Sequence, residues 1–182
     1  PWSCLTSNGD GRLHVSFLDV GQGDSAFVRL PRGTTFLIDT GGLAVKPREA
    51  MLPMRTDMSG AGAILAVLAA CRAVGVRRRV VGLLPLAENA VGAASYRPGD
   101  VVRQYGGRTT EVVNTDAEGR VVLADAVAWA GEHLDPEVVV DVATLTGAAS
   151  LGLGRRHAAL YSPADDLADD LTAAALASGE QA

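Results

Sequence analysis

The run Val80–Leu86, VVGLLPL, constrains this chain more than any other stretch. It carries no charge and no alternation of polar with apolar side chains. A strand with one wet face alternates. An unbroken apolar run of strand length therefore belongs to a strand covered on both faces, as in a parallel sheet between helices. Pro85 weakens its end, because proline donates no ladder hydrogen bond. EVVVDV (137–142) is expected to form another strand, and residues 156–161 are expected to supply a further one. Helical period lies around these runs. Ser59 is placed to cap a helix reaching about Val74, with Ile64, Leu65, Leu68 and Cys71 on one face and Gly75 as its stop. Residues 119–134 set Leu123, Val127, Ala130 and Leu134 on one face, and an Asp- and Ala-rich helix starts near Asp165. A polar, glycine-containing loop is expected from the end of the first run to about Arg108. Strands alternating with helices predict an α/β fold with a mixed, largely parallel sheet flanked by helices.

Before residue 42 the character differs. LHVSFLDV (13–20), SAFVRL (25–30) and TTFLID (34–39) are short β-branched or aromatic-containing runs punctuated by GQGD and PRG. They predict an antiparallel β-meander of three strands. At 182 residues the whole makes one ordinary domain and not two full ones. With 48% hydrophobic and 20% charged residues it has a soluble globular composition. A net charge of −5 argues against a nucleic-acid or membrane-surface partner. The basic run Arg77-Arg78-Arg79 reads as a solvated patch between a helix and a strand. Cys4 and Cys71 lack framework spacing, which suits a reduced, cytoplasmic compartment. The apolar run Ala61–Cys71 falls short of the ~20 residues of a membrane span. No leader follows Pro1, and a chain beginning with proline is expected to lack its natural start.

The chemistry concentrates in Asn114-Thr115-Asp116-Ala117-Glu118-Gly119-Arg120. Asp116, Glu118 and Arg120 stand at alternate positions, so an extended segment would point all three into one site. Two carboxylates this close repel unless a cation or proton sits between them. The same residues also suit a surface turn before a helix, with Glu118 complementing the helix dipole.

From Asp39 onward the chain resembles the catalytic domain of the leucyl aminopeptidase (cytosol aminopeptidase) family. The resemblance rests on DTGGLAVKP, MRTDMSGAGA, GLLPLAEN, YRPGDVV, YGGRTTEVVNTDAEGR and DVATLTGA, in that order, and NTDAEGR is the family's signature. It implies that Asp39 and Glu118 bridge two divalent ions, with Asp116 completing one shell and Asp57 the other. Oxygen-rich shells of this kind suit Mn2+, Mg2+ or Zn2+. By the same resemblance Lys46 stabilises an oxyanion, and Arg120 holds a bicarbonate ion that serves as general base. Met54 lines the pocket for the substrate's N-terminal side chain, and the backbone around Thr144, Leu145 and Gly147 holds the peptide. The implied reaction is hydrolysis of N-terminal residues, leucine among them, from peptides. Members assemble as homohexamers, and missing segments would leave apolar surface exposed on this chain.

One ligand departs from the pattern. The family uses a lysine amine five residues before the first bridging aspartate, and that position is Thr34 here. The nearby Arg32 cannot shed its proton to serve instead. Residues 13–42 resemble the first strands of the metallo-β-lactamase-like domain of competence (DNA-uptake) proteins of the ComEC type, through DVGQGD and LIDTGG. That domain needs a histidine cluster, whereas His14, His133 and His157 have no ligand spacing. Asp19 and Asp24 are accordingly expected at turns and strand ends. The chain reads as a junction of segments 1–42 and 39–182 that overlap at Asp-Thr-Gly-Gly. Two alternatives stand beside the two-metal peptidase: a non-catalytic α/β remnant holding one metal or none, and a ComEC-type nucleic-acid hydrolase fragment.

Overall fold

The structure is a computed structural model that describes residues 14–19, 24–33, 35–38, 56–86 and 95–180, with the backbone alone up to residue 38. The chain divides into two compact units, Pro1–Leu145 and Thr146–Ala182.

The first unit is built on a five-stranded sheet in the order β1-β2-β4-β3-β7. Its strands are β1 (His14–Asp19), β2 (Asp24–Gly33), β3 (Thr35–Ile38), β4 (Arg79–Pro85) and β7 (Val139–Val142). β1 and β2 form the expected antiparallel pair, with Asp19 opposite Asp24 at the strand ends. The meander stops there. β3 does not return beside β2; it runs parallel to β4 on one side and to β7 on the other, and β2 pairs antiparallel with β4. The physical reason lies in Phe36-Leu37-Ile38, an unbroken apolar run like that of β4. Such a strand needs a neighbour on each side and cover on each face.

Two helices supply that cover. α1 (Ser59–Ala73) turns Ala61, Ile64, Leu68 and Cys71 onto Val80 and Leu84 of β4. α2 (Glu118–Leu134) brings Trp129 and Ala130, with Leu123, Ala126 and Leu134 beside them, onto Val81 and Leu83. Alternate residues of β4 thus feed two separate clusters, as the period of a strand requires. Gly82 faces α1, where a Cβ would lie 2.6 Å from Leu68 Cδ1 and 3.3 Å from Ile64 Cγ2. The missing side chain is what lets the helix approach the sheet. Two residues assigned to buried faces lie outside them: Leu65 is 45% exposed and Val127 41%. Ser59 is not the cap either. Met58 holds that position, and the Ser59 hydroxyl donates back to the Thr56 carbonyl.

The basic run Arg77-Arg78-Arg79, which leads into β4, is exposed, and two of its residues are engaged. Arg78 pairs with Glu137 at 2.9 Å, and the Arg79 guanidinium donates to the Leu134 carbonyl at the end of α2, 3.0 Å away. The loop expected to reach Arg108 contains a small hairpin of β5 (Val101–Arg103) and β6 (Thr109–Glu111). Its tip, Tyr105–Gly107, is a 3-10 turn in which Gly106 and Gly107 take φ of +77° and +84°. Backbone conformations of that kind suit glycine.

The second unit holds α3 (Ala148–Leu153) and α4 (Asp165–Ser178). Asp165 and Asp166 lie in the first turn of α4 and complement its dipole. Residues 156–161 form no strand. Apolar character makes a segment eligible for a strand, but only a partner ladder makes it one. Among the described residues no helix is long and apolar enough to cross a membrane.

Candidate active site

Parallel strands end together, and β3, β4 and β7 present their carboxyl ends to one edge of the sheet. α1 follows β3 in the chain and covers one face, whereas α2 follows β4 and covers the other. Connections leaving adjacent strands for opposite faces open a crevice at the strand ends, the usual ligand position in an open α/β sheet. In sequence, Asp39 directly follows β3 and Thr144 comes shortly after β7.

Three segments of the first unit supply the described candidates. Asp57 precedes α1, half-buried, and accepts a hydrogen bond from the Thr144 hydroxyl at 2.8 Å. The partners lie 87 positions apart in sequence. Glu118 is the first residue of α2, buried at 9% exposure, and the only buried acidic side chain among the described residues. Asp116 and Arg120 are exposed.

The signature is not extended, and that corrects the alternate-position reading. Asn114 has extended backbone, Thr115–Ala117 make a 3-10 turn, and the helix starts at Glu118. Helical residues turn about 100° each, so positions two apart point to widely different sides. Glu118 turns inward and Arg120 outward. Asn114 holds the turn by accepting the Asp116 amide at 2.9 Å on its side-chain oxygen. Leu145 is half-buried beyond β7, and Gly147 caps the start of α3 in the second unit. Asp39, Lys46, Met54 and Thr34 lie outside the described residues. Among the described residues no three His, Cys, Asp or Glu side chains group to hold a metal ion.

Sequence reasoning missed what seats the signature. The β5–β6 hairpin leads directly into it, and the hairpin tip is fastened to α2. The Tyr105 amide donates to Asp125 Oδ1 at 2.9 Å, and the Gln104 side chain donates to the Val121 carbonyl at 3.3 Å. Thr110 in turn donates to Gln104 at 2.8 Å. Burial pushes the Asp125 carboxyl above its usual range, and the Tyr105 amide pulls the other way. Beyond the tip, the Tyr105 and His133 rings meet edge to face, and His133 stacks on Trp129 with centroids 4.6 Å apart. Val112, buried, anchors the exit of the hairpin. Only the Tyr-Gly-Gly tripeptide, a turn signal, hinted at this arrangement.

The sequence profile of the cytosol aminopeptidase family, catalytic domain, matches residues 13–182. The probable cytosol aminopeptidase of Chlorobium phaeobacteroides is 42% identical over 88% of this chain and 32% of its own length. Among solved structures, the cytosol aminopeptidase of Coxiella burnetii superposes with a TM-score of 0.81 at 34% identity, over 93% of this chain and 43% of that one. The bottromycin maturation enzyme BotP, in complex with manganese, gives 0.76 at 44% identity over 89% of this chain and 39% of that one. The chain spans about a third of the length of the curated relatives it matches.

Proposed function

The chain belongs to the cytosol aminopeptidase family, and from that premise we propose that it is a two-metal aminopeptidase domain. It removes N-terminal residues, leucine among them, from peptides. The observation that carries this reading is the hydrogen bond from Thr144 to Asp57, which joins two segments that match the family in order, with Glu118 buried at the start of α2 in a third such segment.

The donor chemistry fits a hard divalent cation, since Asp57, Asp116 and Glu118 offer carboxylate oxygens. Manganese in the similar BotP structure supports Mn2+. A buried carboxylate such as Glu118 is stable in its ionised form only beside positive charge or donors. A bound pair of ions would polarise the scissile carbonyl and acidify a water molecule. Asp39 and Glu118 would contact both ions, Asp116 one and Asp57 the other. Lys46 would stabilise the oxyanion electrostatically, and Arg120 would hold bicarbonate as the proton acceptor. Met54 would line the side-chain pocket, and the backbone at Thr144, Leu145 and Gly147 would hold the peptide. Threonine at position 34 leaves the ion near Asp57 one ligand short of the family pattern.

A cytoplasmic, homohexameric peptidase is the assembly this reading favours. The junction of residues 1–42 with 39–182 is a proposal about sequence origin. The family profile takes in residues from 13, and β1–β3 share a sheet with β4 and β7, which supports counting them within one fold.

The test is metal analysis with a leucine chromogenic amide assay, Mn2+ and bicarbonate being supplied. About two ions per chain are expected. Glu118→Gln should abolish tight Mn2+ binding and lower turnover more than the ~10–100-fold typical of outer-shell changes. Unchanged metal stoichiometry in that variant would overturn the site.

A further inference from the structure

The hydrogen bond between Thr144 and Asp57 joins two segments that neither a strand ladder nor a helix connects. Asp57 stands before α1, so its carboxylate belongs to no regular element. Thr144 follows β7, which is paired to β3 along its length, from Thr35 opposite Val139 to Ile38 opposite Val142. The hydroxyl therefore sits two residues beyond a strand fixed in the sheet, on a β-branched side chain that is stiff about χ1. A carboxylate that must meet an ion gains from such a mount, because orientation fixed beforehand need not be imposed on binding. A hydroxyl also suits the task chemically. It donates one proton to one oxygen and brings no positive charge to compete with a cation.

We propose that Thr144 is a positioning residue for Asp57, its hydroxyl occupying Oδ1 so that Oδ2 is presented to a divalent cation. This rests on the two-metal reading above and adds a side-chain role to Thr144. The role is separate from any contact its backbone makes with a peptide, and it acts before substrate arrives. Asp57 then serves the ion through one oxygen. The strand that Thr144 follows is the direct neighbour of the strand that Asp39 follows in the chain.

Mn2+ titration of the full chain without substrate tests this, with folding checked by circular dichroism. Thr144→Val removes the donor at nearly constant shape and is expected to weaken the more loosely held Mn2+ roughly tenfold, the lower end of outer-shell effects. Thr144→Ser keeps the hydroxyl and is expected to restore affinity to within about threefold of the parent chain, well inside that outer-shell range. Asp57→Asn should weaken the same ion further, and Thr144→Val added to it should change nothing more. Parental Mn2+ affinity in Thr144→Val alongside a loss in Asp57→Asn would overturn the positioning role and leave the two-metal reading standing. Parental affinity in Asp57→Asn, or no Mn2+ bound by the parent chain, would overturn both. Equal losses in the valine and serine variants would show that the residue acts through packing, which also rejects the proposal.

Discussion

Asp125 illustrates how one side chain can bind stability to pH. Its carboxyl is held above the usual range by burial, so the native chain keeps that proton where the unfolded chain has released it. The group favours folding fully below the unfolded value of about 3.9, and that contribution is lost as pH rises through the folded-state pKa. Asp125→Asn retains an oxygen able to accept the Tyr105 amide but has no proton to lose. Urea unfolding from about pH 4 to about pH 7 should show the variant gaining on the parent chain as pH rises. A difference constant across that range would mean that Asp125 does not titrate as its burial implies. None of this was legible in the sequence, where Asp125 looks like any acidic residue on a helix. Its role depends on a hairpin tip 20 positions earlier.

At the scale of elements, the packing of α1 on β4 turns on the absence of a side chain at Gly82. Gly82→Ala drives a methyl against Leu68 and Ile64, and it should cost about 1–3 kcal/mol, as overpacking of a filled core does. Arg79→Ala removes the guanidinium at the end of α2; being exposed, it should cost no more than about 0.5–1.5 kcal/mol. Chemical denaturation of both variants checks the ranking, and an Arg79 effect larger than that of Gly82 would contradict this account of the core. The helices themselves were legible, because a period of 3.6 is a local property. Their edges were not. In alanine-rich helices the apolar stripe is broad, so Leu65 and Val127 fitted the buried face until the sheet set its angle.

For the molecule as a whole, the proposed metal ligands come from segments far apart in sequence, before α1 and at the start of α2, with Asp39 after β3. An ion that binds only when these meet stabilises the native state by mass action, about 2.7 kcal/mol at a hundred times its Kd. For a chain of this size that corresponds to a rise of roughly 5–10 °C in Tm. Calorimetry with Mn2+ should show the rise, and a chelator should reverse it. Glu118→Gln should remove it. An unchanged Tm in the parent chain at saturating Mn2+ would count directly against a metal centre built from these loops.

VVGLLPL by itself determined that one strand must be buried on both faces, and the structure gives Val80 and Leu84 to α1 and Val81 and Leu83 to α2. The NTDAEGR motif likewise identified the family, and helical period located α1, α2 and α4, since each is written in neighbouring residues. Strand order was not written there. Apolar runs state how much cover a strand needs but not which strand provides it, so β3 was expected beside β2 and lies between β4 and β7. Residues 156–161 carried the same kind of signal and found no ladder. The turn that aims Glu118 inward and the bond from Thr144 to Asp57 belong to the same class. Both depend on where the sheet brings distant segments, and only tertiary packing decides that.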